Sequence, residues 1–212
     1  MTKFSFLKPF TKYIESSSGR FLVDNNGIAL NFEPSEDNEY IIEETELNTY
    51  NQHHPNKSIK TLIVPKGVKG FASDFMREVR VIEKFELPDG LLSIGNNSFP
   101  FDFEHSQHCV FADCILPSVT IPDSVKEIGT FAFGASRIEA LQLPSSLRSP
   151  YGRQFKDSYI GTLVLPKEWE NIAYFNEHNR LVIELDSVNY GYLVWPSTAV
   201  GKLMFYQTPE TE

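Results

Sequence analysis

The chain has 212 residues, 41% of them hydrophobic, with 19 Lys and Arg against 28 Asp and Glu and a formal net charge of −9. That length suits one domain, or one domain with an appended cap, and the apolar content excludes global disorder. The acidic balance excludes nucleic acid or an anionic membrane as the main partner, no apolar run approaches the roughly 18 residues of a membrane span, and the two cysteines make no disulfide framework.

At the start, Lys8 and Pro9 interrupt any apolar core of a signal peptide, and no small-x-small cleavage site follows. The chain as it stands therefore reads as cytoplasmic; removal of a leader would make it a cell-surface or secreted protein. Residues 20–24 and 28–32 flank Asn25-Asn26-Gly27 and read as a β-hairpin, in which Asn-Gly supplies the positive φ angles of the turn. Residues 22–33 also imitate a calcium loop, with Asp24, Asn26, Gly27 and Glu33 at its third, fifth, sixth and twelfth places. Leu22 at the first place has no ligand oxygen, and the hairpin explains the same residues. Residues 36–58 are acidic and polar around Tyr40-Ile41-Ile42 and read as one strand and a loop.

A repeat follows. Five segments end alike: Leu62-Ile63-Val64-Pro65, Phe85-Glu86-Leu87-Pro88, Val119-Thr120-Ile121-Pro122, Leu141-Gln142-Leu143-Pro144 and Leu163-Val164-Leu165-Pro166. The prolines are spaced by 23, 34, 22 and 22 residues, so removing an insertion of 11 leaves one period of 22 to 23. Three residues past the prolines stand Val68, Leu91, Val125, Leu147 and Trp169. Six past stand Phe71, Ile94, Ile128, Pro150 and Ile172. Eleven past stand Met76, Phe99, Phe133 and Phe155, while the fifth repeat has Glu177 there. Apolar alternation before each proline predicts a half-buried strand, and proline closes it because it lacks an N–H for the ladder. A second short extended piece follows, then a bend at Gly95 or Gly129. Phe99, Phe133 and Phe155 are expected to form an aromatic column. Five rungs at about 4.8 Å give a slab roughly 24 Å long.

The phrases Leu87-Pro88-Asp89-Gly90-Leu91-Leu92-Ser93-Ile94-Gly95-Asn96-Asn97-Ser98-Phe99 and Ile121-Pro122-Asp123-Ser124-Val125-Lys126-Glu127-Ile128-Gly129-Thr130-Phe131-Ala132-Phe133 resemble the BspA-like leucine-rich-repeat family. The resemblance covers about residues 60–170, with Cys114 in the family's small or Cys position. Repeat one departs with Phe71-Ala72, repeat four with Ser149-Pro150-Tyr151, and repeat five is degenerate. The resemblance implies a leucine-rich-repeat solenoid with a binding role and no catalytic residue. The expected fold is therefore a β-rich solenoid: a parallel sheet with short second strands and turns, and non-repeat caps at both ends. The expected division is 1–58 as an N-terminal cap with the hairpin, 59–206 as the solenoid with decayed C-terminal repeats, and 207–212 as a tail. Residues 181–185, 192–195 and 203–206 read as strands continuing the sheet.

Residues 100–110 interrupt the second repeat and are expected to form a loop folded back on the slab. His105, His108, Cys109 and Cys114 come nearest to a metal set, but zinc wants paired ligands at fixed spacings, and Cys114 has a place in the repeat. His53-His54 reads as a solvated pair. No nucleophile elbow, phosphate-binding glycine loop or His-Glu-x-x-His helix occurs. No cofactor, metal or catalytic residue is expected, and nothing in the sequence specifies an oligomeric state.

The outward strand positions are the expected binding residues: Ile63, Glu86, Thr120, Gln142 and Val164, two residues before each proline. Four before lie Thr61, Lys84, Ser118, Ala140 and Thr162. This face is small-sided and lacks the aromatic ladder of a carbohydrate groove, so a protein partner is favoured. The expected function is a non-enzymatic protein-interaction module. The competing readings are an exported cell-surface adhesin fragment, and a metal-binding or enzymatic protein using the 100–110 insertion. An idle face, or one covered by the N-terminal block, is the plain alternative to a binding face.

Overall fold

The computed structural model of the protein describes residues 11–41, 57–72, 75–76, 79–95, 110–147, 152–184, 192–194 and 198–207. The first strands are β1 (Lys12–Ser16), β2 (Gly19–Val23) and β3 (Ile28–Pro34), an antiparallel meander, followed by a 3-10 turn at Glu36–Asn38 and a short strand β4 (Glu39–Ile41). The β2–β3 turn is held by Asp24, whose Oδ1 accepts the N–H groups of Asn26 and Ile28 at 2.8 Å each. Gly27 takes the one positive φ there, 84°. Phe21, Val23 and Ala29 are fully buried, and the Phe21 and Phe32 rings lie 4.7 Å apart, so the meander contributes to the main core.

The repeats then alternate longer and shorter strands. They run β5 (Lys57–Ile63), β6 (Gly70–Phe71), β7 (Val79–Glu86), β8 (Ser93–Ile94), β9 (Ile115–Leu116), β10 (Val119–Thr120), β11 (Glu127–Ile128), β12 (Arg137–Gln142) and β13 (Tyr159–Pro166). The longer strands pair in parallel, in the order β5, β7, β9, β12, β13, with β10 also on β12. The short strands stack in a second column: β3 pairs in parallel with β6, and β8 with β11. Between these pairs, the Lys69 carbonyl accepts the N–H groups of Leu92 and Ser93. This is a β-rich repeat fold.

Three apolar side chains per repeat point inward, at spacings of three and then two. They are Ile59, Leu62 and Val64; Ile82, Phe85 and Leu87; Leu116, Val119 and Ile121; Ile138, Leu141 and Leu143; Ile160, Leu163 and Leu165. The prolines follow directly, where the inward strand stops. Burying one such side chain contributes about 1.5–3 kcal/mol, which no single repeat could supply enough of alone.

The aromatic column is present with one change of member. Phe111, Phe133 and Phe155 are fully buried, and successive rings stack at 5.4 Å. Phe71 meets Phe111 edge-on at 5.5 Å. The place expected for Phe99 therefore belongs to Phe111, 22 residues before Phe133; Phe99 lies outside the described residues. Measured against a 22-residue period, the insertion is 34 − 22 = 12 residues long and falls between Gly95 and Phe111. The insertion read at 100–110 lies outside the described residues except Val110, which is buried in the core.

A second buried column stands beside the rings, with Cys114, Ser136 and Ser158 three residues beyond Phe111, Phe133 and Phe155 and Thr198 continuing it. The hydroxyls of Ser136, Ser158 and Thr198 donate to the carbonyls of Phe111, Phe133 and Phe155 at 2.6, 2.6 and 2.7 Å. Cys114 holds the equivalent place one repeat earlier, with its Sγ 3.2 Å from the Val79 carbonyl. The residue before Cys114, Ser136 and Ser158 turns the chain: Asp113, Ala135 and Asp157 have φ of 59°, 54° and 63°. That turn aims the following side chain back at the previous rung, where a small polar group satisfies a buried carbonyl.

At the C-terminal end the sequence expectation is corrected in part. β14 (Ala173–Phe175), β15 (Leu181–Glu184) and β16 (Tyr192–Val194) form a separate antiparallel sheet. The turn after β14 is too short for a parallel crossover, which needs a dozen or more residues. It closes instead as a hairpin: Asn176 Oδ1 accepts the N–H groups of His178 and Arg180 at 3.0 Å, and Asn179 takes φ 55°. Only β17 (Ala199–Tyr206) returns to the main sheet, parallel to β13 with Leu163 opposite Leu203.

Candidate functional site

The five expected binding residues are brought onto the outer face of the parallel sheet. Register pairs Ile63 with Glu86, Thr120 with Gln142, and Gln142 with Val164. The row continues onto Met204, opposite Val164, a residue the proline rule could not find because no proline follows β17 at that spacing. Glu86 and Thr120 are exposed, and Ile63, Gln142 and Val164 are half-buried. The positions four before the prolines lie in a neighbouring row, with Ala140, Thr162 and Lys202 in register.

A further row, nearer the strand starts, joins Ile115, Arg137, Tyr159 and Ala199 in register. Sequence reasoning missed it by reading only the last residues before each proline. The Arg137 guanidinium carbon sits 5.3 Å from the centre of the Tyr159 ring, a cation–π contact. Tyr159 is 43% exposed and Ile115 38%, with Met204 in the other row at 42%. The face read as small-sided and without an aromatic ladder thus carries one exposed ring, Tyr159. Beside it, Gly161 and Gly201 leave bare backbone. A Cβ at Gly161 would lie 2.5 Å from the Glu139 carbonyl oxygen, and one at Gly201 would lie 2.7 Å from that of Gly161.

The two halves of the face differ in what already engages them. Towards β5, the Tyr40 hydroxyl reaches across to donate to Glu83, Lys60 Nζ donates to the Asp37 carbonyl at 2.8 Å, and Lys84 pairs with Glu86 at 2.7 Å. Ser58, in register with Tyr40, is fully buried. The N-terminal block thus occupies part of the face at the first two rungs. Towards β17, Arg137 and Lys202 have no ionic partner among the described residues. Exposed apolar surface, the Arg137–Tyr159 stack and Lys202 lie on this half.

The other candidates resolve locally. Among the described residues no group of three or more His, Cys, Asp or Glu side chains is placed to hold a metal ion. His53, His54, His105, His108 and Cys109 lie outside the described residues. Burial pushes the Cys114 thiol up to about 12; Asp113 adds to the shift and Arg80 opposes it. A neutral thiol in that setting packs and donates weakly, and is a poor ligand or nucleophile. The calcium-like residues are committed to the hairpin, with Asp24 on the turn N–H groups and Glu33 bound to Tyr13 and Arg20 at 2.7 and 2.6 Å. Leu22 is buried. Among the described residues no helix is long and apolar enough to cross a membrane.

Comparison with known proteins gives one match. The BspA type leucine-rich repeat region, in 6 copies, matches residues 42–108 and 104–187. No curated protein and no solved structure matches the chain.

Proposed function

The chain belongs to the BspA-type leucine-rich-repeat family, and from that premise we propose that it is a non-enzymatic module that binds a protein on the outer face of its sheet. In this reading the parallel ladder is a solenoid covering residues 59–206, residues 1–58 are its N-terminal cap, and 207–212 is a tail. The docking surface is the half nearer β17: Thr120, Gln142, Val164 and Met204 in one row, with Ile115, Arg137 and Tyr159 in the other.

The observation that carries this reading is the Arg137–Tyr159 pair. Tyrosine and arginine are enriched where partners dock, because a rigid ring buries large area at low entropic cost and its polar end still finds a hydrogen bond. Here the ring stays exposed, while at the first two rungs the N-terminal block engages Lys60 and Glu83. The test is capture of a partner by the immobilised chain, with Tyr159→Glu alongside. The reading expects the partner to be lost from Tyr159→Glu while the melting curve stays unchanged. Equal capture by both chains would count against it.

A further inference from the structure

The parallel ladder closes differently at its two ends. At β5 the edge is sealed: β4 pairs with it antiparallel, Asn38 binds the Thr61 backbone on both sides, and Ser16 and Ser18 bind Ile63. At β17 no described strand seals it. This strand runs for eight residues and pairs with β13 from Ala199 to Tyr206, and no strand among the described residues lies on its other edge. Its inward trio, Val200, Leu203 and Phe205, is only partly buried. The same trio one rung back, Ile160, Leu163 and Leu165, is fully buried. What completes the burial of each trio is the next strand's trio, and among the described residues no further rung covers β17.

We propose that the open edge of β17 takes up an extended segment of another polypeptide as one more parallel strand, with apolar residues at its second, fifth and seventh positions. The ladder itself sets this chemistry. An added strand must supply N–H and C=O groups to the unpaired edge, and three apolar side chains at spacings of three and two to cover Val200, Leu203 and Phe205. An acidic residue on its outer side would face Lys202, which projects from the exposed side of β17 without an ionic partner among the described residues. Head-to-tail stacking of copies does not meet these needs, because the first strand of a second copy is already covered by its own β4 and Asn38. The strand edge adjoins the sheet face at Lys202 and Met204, so an added strand would extend the outer rows by one more rung.

The probe is a labelled peptide with the sequence Arg-Ile-Glu-Ala-Leu-Gln-Leu-Pro, the chain's own residues 137–144, added to the full chain. In register it places Ile, Leu and Leu beside the exposed trio and its Glu near Lys202. The expected result is saturable binding at one peptide per chain, with new hydrogen-exchange protection at residues 200–206. A peptide with Asp at the three apolar positions should bind at least about tenfold more weakly, as should Phe205→Asp in a chain whose melting curve confirms folding. The peptide variants leave the protein untouched, so a failure of Phe205→Asp to fold would not spare the proposal. Equal binding by a peptide of the same composition with its apolar pattern shifted one place would overturn it. So would no binding, or self-association through β17 that the peptide cannot compete away.

Discussion

The side-chain amide of Asn38 pairs with the backbone of Thr61 as a strand would. Its Nδ2 donates to the Thr61 carbonyl at 2.7 Å, and its Oδ1 accepts the Thr61 N–H at 2.8 Å. A third bond runs from Nδ2 to the Ser18 carbonyl at 2.7 Å, and the residue is buried. One side chain thus ends the ladder on the N-terminal side, where otherwise two backbone groups would be stranded.

Asn38→Leu keeps the volume and removes all three bonds. It should destabilise the chain by about 3 kcal/mol, because buried backbone groups are left unpaired. Urea denaturation measures this directly. The neighbouring control is Ser58→Ala: that hydroxyl is buried with no hydrogen-bond partner among the described residues, so its loss should change stability by less than about 1 kcal/mol. A small effect of Asn38→Leu would mean that β4 alone seals the edge.

The column of rings gives a second prediction. Phe111→Ala and Phe133→Ala should each cost about 3–5 kcal/mol, since both leave a cavity between stacked neighbours. Deleting residues 97–108 removes the 12 that exceed the period and brings Gly95-Asn96 next to Cys109-Val110-Phe111, matching Gly129-Thr130-Phe131-Ala132-Phe133. That deletion should still unfold cooperatively. Deleting 100–110 instead removes buried Val110 and should be the less stable of the two.

The repeat was legible because stacking forces it into the sequence: each inward position must be apolar in every rung. The five endings, apolar-x-apolar-Pro, therefore located the ladder and its outward row from Ile63 to Val164. Phe111 was misassigned because the count ran forward from Pro88 across the insertion; counting back 11 from Pro122 lands on it. The apolar runs 181–185 and 192–195 mark the strands Leu181–Glu184 and Tyr192–Val194, but strand character says nothing about partners. The hairpin turn around Asn176 decided that they pair antiparallel among themselves. Tyr159 escaped because exposed positions carry no periodic constraint; only register with Arg137 shows that it belongs to the face.

Cys114 supplies a test of the small-residue column. With the thiol pushed up to about 12 by burial, almost none is thiolate at neutral pH. In a Cys109→Ser background, Cys114 should resist alkylation in the folded chain and react only after denaturation. Cys114→Ser should remain folded, because Ser136 and Ser158 show that a hydroxyl fits this place. Rapid labelling of the native chain would show that the column opens.

Glu33 makes the hairpin pH-dependent. Its carboxyl is held below its ordinary value, chiefly by the Tyr13 hydroxyl that donates to it, and further by Arg20. A carboxylate depressed on folding contributes stability above its unfolded value and loses it as pH falls through its folded value. Wild type should therefore exceed Glu33→Gln in denaturation midpoint at neutral pH, and the gap should close as pH drops below the usual carboxylate range. The pair is solvent-exposed, so the gap should also shrink with added salt. A gap that persists at low pH would place the effect elsewhere than in the charge.

The most direct measurement compares the affinity of the captured partner for two double variants. Thr120→Lys with Gln142→Lys changes two neighbours on the sheet face, and Lys126→Glu with Glu127→Lys changes two exposed residues on the short-strand side. Thr120, Lys126 and Glu127 are exposed and Gln142 is half-buried on the outer face, so substitutions there should cost little stability and both proteins should fold, which their melting curves check. Burying two unpaired charges in an interface should weaken binding by at least about a hundredfold, roughly 2.8 kcal/mol. The sheet face as docking surface predicts that loss for Thr120→Lys with Gln142→Lys, and wild-type affinity for the other pair. Wild-type affinity for the sheet-face variant, with loss in Lys126→Glu with Glu127→Lys, would contradict it.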